Sequence, residues 1–464
     1  MRRRRTGLLL VLILVAAACG GAGVDGEAST GADDGRSPDV AAPDPPAETD
    51  DDTDPPTEAG DGTDGSEAAP LTASYRGVTE DRILVGVAMI DFARLQEFGV
   101  DIEGIDPMIW APAWAQAFNE RGGARGRMME IVVSTFLPVG STESDRTCTE
   151  LTQDEEVFVV LGAMLNENPL CVTELNQTAY VGMFGLSADR QERSIAPFFA
   201  SEMAVDAQRR NALRALIEQG TFDGVDLGVY WEEGDENLAT EVVLPLLDDA
   251  GINVVETVTQ LDYGDDSVAA AGAIDSLFAA LEGSGADMYL NISGLVQFNR
   301  AIDRNRPNVP FVLLNGQMTS GAIISTSGYD PDVLVDAIGV TAAKPTPDEW
   351  RADPGWQQCL DEINRSGLGE FVAQEMSDGL VGGLGQACQA FRLLEHLLLT
   401  ADPVLTPDAL RAAADATGEL RLPGMGAGSL GPGKYSVGDE VRYYTYDPEL
   451  QIMVPEGDPI VVVD

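Results

Sequence analysis

The chain has 464 residues and a formal net charge of −49, from 28 basic against 77 acidic side chains. A nucleic-acid binder needs a positive footprint, and this composition is its opposite. With a single histidine, His396, any Ser-His-Asp or Cys-His catalytic arrangement depends on that one residue.

The N-terminus opens with four arginines at 2–5, an apolar run over 7–15 and three alanines at 16–18 before Cys19. That order of basic, apolar and small residues reads as a secretory signal. The run is shorter than the roughly 20 residues that span a bilayer. A cysteine directly after the small residues resembles the lipobox of bacterial lipoproteins, which implies that Cys19 is acylated and becomes the first residue of the mature chain. Ala16 departs from the pattern, where leucine is preferred.

Residues 20–70 contain no Leu, Ile, Met, Phe, Tyr or Trp, and carry 15 acidic residues against one basic residue, Arg36. Such a segment cannot bury enough apolar surface to offset its ordering entropy. It reads as a disordered acidic tether with an r.m.s. span of roughly 40 Å, extended further by like-charge repulsion.

The body, 71–464, alternates apolar, β-branched runs with helical patterns. The runs are ILVGVAMI (83–90), MEIVVSTF (129–136), VFVVLG (157–162) and AYVGMF (179–184), then DLGVYW (226–231), INVVETVT (252–259), ADMYLN (286–291), PFVLL (310–314) and AIGVT (337–341). Helices are predicted over 111–121, 206–219, 238–250, 374–399 and 406–416, with a Gly-rich turn and a terminal strand region at the end. Near-continuous apolar strands alternating with helices predict parallel sheets covered on both faces. The series occurs twice, over 81–200 and 224–341, so the fold class is α/β with two Rossmann-like doubly wound lobes joined by a hinge. The predicted boundaries are a signal at 1–18, a tether at 19–72, lobe 1 from 73–200 with 343–425, and lobe 2 from 201–342 with 426–464.

After Cys19, four cysteines remain. Outside the cytosol an even count favours disulfides, and pairing neighbours gives Cys148–Cys171 and Cys359–Cys388. No C-x-x-C spacing occurs, so a zinc or thioredoxin-like site is not expected. No metal or other cofactor is predicted.

Two glycine clusters could be mistaken for phosphate loops. In FNERGGARGRMMEIVV (118–133), Gly122 and Gly123 follow a helix and Gly126 leads into a strand. A dinucleotide fingerprint needs the reverse order, strand first, so that helix amides meet the phosphate. The stretch reads as a helix C-cap and turn. GSLGPGKY (428–435) nearly spells a P-loop, but Tyr435 stands where Ser or Thr should hold magnesium and Pro432 removes a backbone donor. It too reads as a turn. His396, in RLLEHLLLT, reads as a packed helix residue.

In open α/β sheets ligands sit beyond the carboxyl ends of strands. Those positions nominate Asp91 and Phe92, Asn166, Glu167 and Asn168, and Ser187 in the first half. In the second half they nominate Trp231, Glu232 and Ser293. Backbone N–H groups and hydroxyls there suit a carboxylate, and the aromatics suit an apolar part.

The stretch at 118–133 resembles the iN-x-x-GG-x-x-G(R/K) helix-to-strand turn of type I periplasmic binding proteins, the class of the leucine/isoleucine/valine-binding proteins. Asn119, Gly122, Gly123, Gly126 and Arg127 fit it, and Gly104 matches the glycine before the first helix. VFVVLGAM (157–164), FFASEMAVDAQRRNALRAL (198–216) and the segment 227–268 continue the resemblance over about 80–450. It implies an extracytoplasmic solute-binding lipoprotein, lipid-anchored to the cell membrane and facing the periplasm or cell-wall space. Such a protein binds a small polar or amino-acid-like ligand by hinge closure, performs no catalysis, and delivers the ligand to the permease of an ABC importer. The alternative on the same fold is a ligand-sensing co-receptor without a transport role.

The amino-acid pocket of the family does not carry over with the fold. Asn166, Glu167 and Asn168 occupy the place of its Ser-rich turn. Gly234 or Asp235 stands near its Tyr, and Gln317 stands at its ammonium-binding acid.

Overall fold

A computed structural model describes residues 71–97, 103–138, 141–261, 267–293, 296–305, 309–316, 324 and 330–462. Cys19, the signal, the tether and Gln317 lie outside these residues. No helix among the described residues is long and apolar enough to cross a membrane.

The first sheet contains β1 (Arg82–Ile90), β2 (Met128–Phe136), β3 (Val159–Gly162), β4 (Ala179–Gly182) and β5 (Phe198–Ala200), in the order β2-β1-β3-β4-β5. Every pairing in it is parallel. Along β1 the strand period of two sorts the side chains between two cores. Ile83, Val85, Val87 and Met89 face one core, with helices Pro107–Glu120, Pro354–Ser366 and Asp378–Thr400. Leu84, Ala88 and Ile90 face the other.

The second sheet contains β6 (Asp226–Glu232), β7 (Asn253–Gln260), β8 (Met288–Asn291), β9 (Phe311–Leu313), β10 (Ile338–Ala342), β13 (Glu440–Asp447) and β14 (Ile452–Val461). Its order is β14-β13-β10-β9-β8-β6-β7, and the two-stranded β11 (Gly418–Glu419) and β12 (Ser429–Leu430) stand apart. Five strands pair in parallel, whereas β13 and β14 run antiparallel at one edge. The sheet is therefore mixed where the sequence reading predicts parallel sheets. Between β13 and β14 the cause is the tight turn after Asp447, whose carboxylate accepts from Glu449 N and Leu450 N and reverses the chain within hairpin reach, while β13 itself already enters antiparallel to β10. Leu227, Val229 and Trp231 on β6 face one core, and Tyr230 faces the other. Both sheets are thus covered on both faces, in two lobes.

Element edges moved where caps outweigh apolar pattern. The first long helix starts at Pro107, not near 111, because Asp106 accepts from Met108 N and Pro107 fits the first helical position. Trp110, Trp114 and Phe118 then lie four residues apart on one buried face, and the Trp114 indole donates to Cys359 O. The helix Pro354–Ser366 has no counterpart among the predicted elements, although Asp353 caps it through Trp356 N and Gly367 ends it at φ 76°. The helix expected over 238–250 is present as one continuous run, Glu236–Leu238, Ala239–Val243 and Leu244–Asp249, whose middle segment winds as a π-helix.

Both disulfides are present: Cys148–Cys171 and Cys359–Cys388. The second joins helices Pro354–Ser366 and Asp378–Thr400. Each closes a loop that contributes about 3 kcal/mol on the chain-entropy model. Beside it, Arg392 pairs with Glu362 and Glu395, each at 2.6 Å, and Arg121 closes the ring. Glu362 is fully buried, so the ring works only as a set; opening a buried pair costs about 3–5 kcal/mol.

Candidate functional site

The glycine turn that opens β2 is a structural clasp. Gly123 N returns to Phe118 O, and a side chain at Gly123 would strike Arg127 O at 2.1 Å. Asn119 brackets Met129 by accepting from its N and donating to its O. Arg127, buried, donates to the carbonyls of Thr72, Thr79 and Pro403. The motif residues are consumed by the scaffold. At 428–435, Gly431 and Lys434 close a turn instead of a phosphate loop. His396 meets Thr417 Oγ1 at 3.0 Å, and burial lowers its pKa.

The two lobes are joined by three neighbouring crossings: 201–204 after β5, 343–346 after β10, and 437–439 before β13. Segment 435–437 first runs beside β5, through Ala200 N to Tyr435 O and Val437 N to Ala200 O. Gly438 lies against Met203, and Ala343 N donates to Glu440 O. Gly185, just beyond β4, approaches the first crossing so closely that a Cβ would sit 2.2 Å from Met203 O.

Further ties brace this region. Ala188 N donates to Asp206 at 2.7 Å, and burial raises the Asp206 pKa. Gln208 bonds Thr341. Arg209, 3% exposed, donates to Ile292 O and Gln208. Glu349 accepts both Arg442 guanidinium nitrogens, at 2.8 and 3.0 Å, spanning the second crossing.

The nominated residues fall into separate groups. Asp91 caps the helix Phe92–Glu97 through Arg94 N, and Phe92 packs against Gly104. Glu167, Ser187 and Arg190 form one cluster: Glu167 takes Arg190 at 2.6 Å and Arg193 at 2.8 Å, and Ser187 bonds Asp189 and Arg190. Burial pushes the Glu167 carboxyl up, but its two arginines outweigh that and hold it below the usual range. Asn166 is exposed with φ 56°, and Asn168 begins the short turn beside it.

Trp231, Glu232 and Ser293 form the other cluster. The Trp231 indole donates to Glu236, and Ser293 Oγ accepts from Glu232 N while donating to Asp235 at 2.6 Å. Many of these polar groups are therefore already engaged within their own lobe.

The sequence reading passed over the residues of the crossings themselves. Lys344 Nζ lies 3.3 Å from Glu202 and 5.9 Å from the centre of the Phe184 ring, and a Cβ at Gly316 would sit 3.6 Å from it. Phe184 follows β4 and Gly316 follows β9, so the carboxyl edges of both sheets meet at Lys344. The available signal was compositional: Lys344 is one of two lysines and directly follows an apolar strand. Two shallow depressions, around Gln116 and around Gln358, lie on the outside of the first lobe away from the crossings. Among the described residues no cluster of three or more His, Cys, Asp or Glu could hold a metal.

Solved structures share this fold. A solute-binding protein of an ABC transporter from R. palustris, in complex with 4-hydroxybenzoate, superposes with a TM-score of 0.57 at 15% identity, over 82% of this chain and 98% of its own. An ABC transporter substrate-binding protein from Desulfitobacterium hafniense, in complex with Leu, gives 0.55 at 15% identity, over 81% and 100%. A periplasmic binding protein type 1 from Bordetella pertussis Tohama I gives 0.56 at 13%, over 82% and 100%. No protein-family model and no curated protein matches the sequence. The chain has the fold of type 1 periplasmic binding proteins, two α/β lobes whose strands pair in parallel except at β13 and β14, as the resemblance implies.

Arg442 holds the Glu349 carboxyl at about 2, against 4.5 unperturbed. A folded-state value below the unfolded one gives stability that is complete above pH 4.5 and is lost as pH falls toward about 2. Glu349→Gln is expected to melt below the native chain at neutral pH, with the difference shrinking as pH drops below 4.5. A difference that stays constant over that window in thermal melts would contradict the assignment.

Proposed function

We propose that this protein is an extracytoplasmic solute-binding lipoprotein of an ABC importer. It holds a small polar or amino-acid-like solute between its lobes, closes about the crossings as a hinge, and presents the closed form to a permease. The mechanism is binding without covalent chemistry, because only the closed form contacts the solute from both sides. The observation that carries this reading is the meeting of both carboxyl sheet edges at three adjacent crossings. Two of the structural neighbours carry 4-hydroxybenzoate and Leu, which supports a small carboxylate solute. In this reading lobe 1 comprises 73–200 with 343–436 and lobe 2 comprises 201–342 with 440–464, so the boundary expected at 425 moves to the third crossing, because Tyr435 and Val437 pair with β5. Acylated Cys19 anchors the chain to the membrane, and residues 20–70 let the body reach the permease.

A thermal-shift panel of benzoates, amino acids, amides, urea and short peptides tests the binding role. A true ligand at a hundredfold its Kd stabilises the fold by about 2.7 kcal/mol. No shift from any compound at millimolar concentration would count against the proposal. Fatty-acid labelling tests the anchor: label and membrane association are expected in the native chain and lost in Cys19→Ser. Label retained in that variant would overturn the anchor.

A further inference from the structure

The edge of a sheet presents a row of unpaired N–H and C=O groups, and folded proteins blunt it with proline, charge, a bulge or a covering segment. The two large sheets here have four edges. β5 is covered by Tyr435 and Val437. β14 carries Pro455 and Pro459, and β7 bulges against β6 and exposes Thr257 beside Glu256. β2 has no such device at its centre. It runs nine residues in unbroken register with β1, and its middle is Ile131, Val132 and Val133, all half-buried.

The pairing fixes which backbone groups point out. Met128 N donates inward to Asp81 O and Phe136 O accepts inward from Asp91 N, so the even-numbered residues bond β1 and the odd-numbered ones face outward. The two ends of the outward row are closed: Asn119 brackets Met129, and Arg146 donates to Thr135 O at 2.6 Å. Between them the outward groups of Ile131 and Val133 meet no other strand among the described residues. A depression of about 530 Å³, lined by Pro112, Ala115, Gln116, Met129 and Ile131, borders the open window.

We propose that β2 is an interface with a second copy of this chain, the two strands pairing antiparallel about Val132. That register sets Ile131 against Val133 of the second copy, twice by symmetry, and uses the outward groups of both in four backbone hydrogen bonds. Apolar side chains then face each other across the pair, and Glu130 falls opposite Ser134 instead of another acid. Ser134 Oγ bonds Glu150, which Arg146 also holds at 2.7 Å, so Glu130 of each copy comes beside Arg146 of the other. Both side chains are about half exposed, 56% for Glu130 and 52% for Arg146, and so are available to meet.

The wider charge distribution favours this face. A chain of net charge −49 repels its own copies. Around β2, however, Glu130, Glu143 and Glu150 are each matched by an arginine, Arg82, Arg94 and Arg146. β2 is also the edge of the first sheet opposite β5 and the crossings, so pairing there leaves the space between the lobes open. The inference goes beyond solute binding and does not depend on it.

The test is sedimentation of the full chain over a concentration series at about 0.15 M salt, with Cys19→Ser so that no acyl chain drives association. A reversible monomer–dimer equilibrium that stops at two copies is expected, because a two-fold pairing uses up both edges. Ile131→Pro removes an outward donor while leaving the inward ladder to β1 intact, and is expected to weaken the dimer about tenfold or more. Glu130→Arg and Arg146→Glu each set like charges face to face and are expected to weaken it about threefold or more. Mixing these two single variants places opposite charges at both contacts, so the mixed dimer is expected to form better than either variant alone.

A native chain that stays monomeric up to roughly 0.1 mM would overturn the proposal. So would a dimer that folded Ile131→Pro leaves unchanged, growth beyond two copies, or a mixture of the charge variants that associates no better than its components. If Ile131→Pro fails to fold, the charge variants and their mixture decide alone.

Discussion

Parallel pairing forces every strand of a sheet to end at the same edge, and that constraint organises this molecule. Five parallel strands in the first lobe and five in the second each deliver their carboxyl ends to one edge. The crossings turn these edges into a shared space, which is why Phe184, beyond β4, and Gly316, beyond β9, approach the same ammonium. A catalytic constellation is not needed to explain such a place. What it supplies is two walls, one from each sheet, with backbone groups, hydroxyls and a few charges between them.

The lobes differ in how they are stiffened. The first is cross-linked by both disulfides and by the Arg121–Arg392–Glu362–Glu395 ring. The second relies on packing, with Tyr230, Tyr289 and Phe311 in one core and Leu227, Val229 and Val312 in the other. Between them the crossings are held by short polar ties, such as Asp206 to Ala188 and Glu349 to Arg442, which involve few atoms each. Two packed cores joined by short segments fit the hinge closure that the proposed function requires.

Much of the fold was legible because buried parallel strands are written as uninterrupted apolar runs. ILVGVAMI became β1 and DLGVYW became β6 almost residue for residue. The three-residue β5 was too short for its run to stand out, and β13 and β14 were read only as a terminal strand region because β14 carries Pro455, Gly457 and Pro459 within it. The helix Pro354–Ser366 was missed, and its cap, Asp353, was the signal that could have found it.

The site was less legible. Strand-end positions identify an edge but not which side chains are already spent there, and Glu167, Trp231 and Ser293 turn out to hold neighbours in their own lobe. Lys344 and Glu202 sit 142 positions apart in sequence, and only the adjacency of two crossings brings them together. No local pattern encodes that meeting.

The central claim is that two bodies close on a solute. Glu192, exposed on the helix Ala188–Arg193 beyond β4, and Asn237, exposed in the turn beyond β6, mark the two rims. Spin labels at Glu192→Cys and Asn237→Cys, in a chain whose Cys19 is replaced by Ser, report their separation by pulsed dipolar spectroscopy. The account predicts a broad distribution that shortens and narrows when the tightest-binding solute saturates the protein. A distribution indifferent to saturating solute would contradict it.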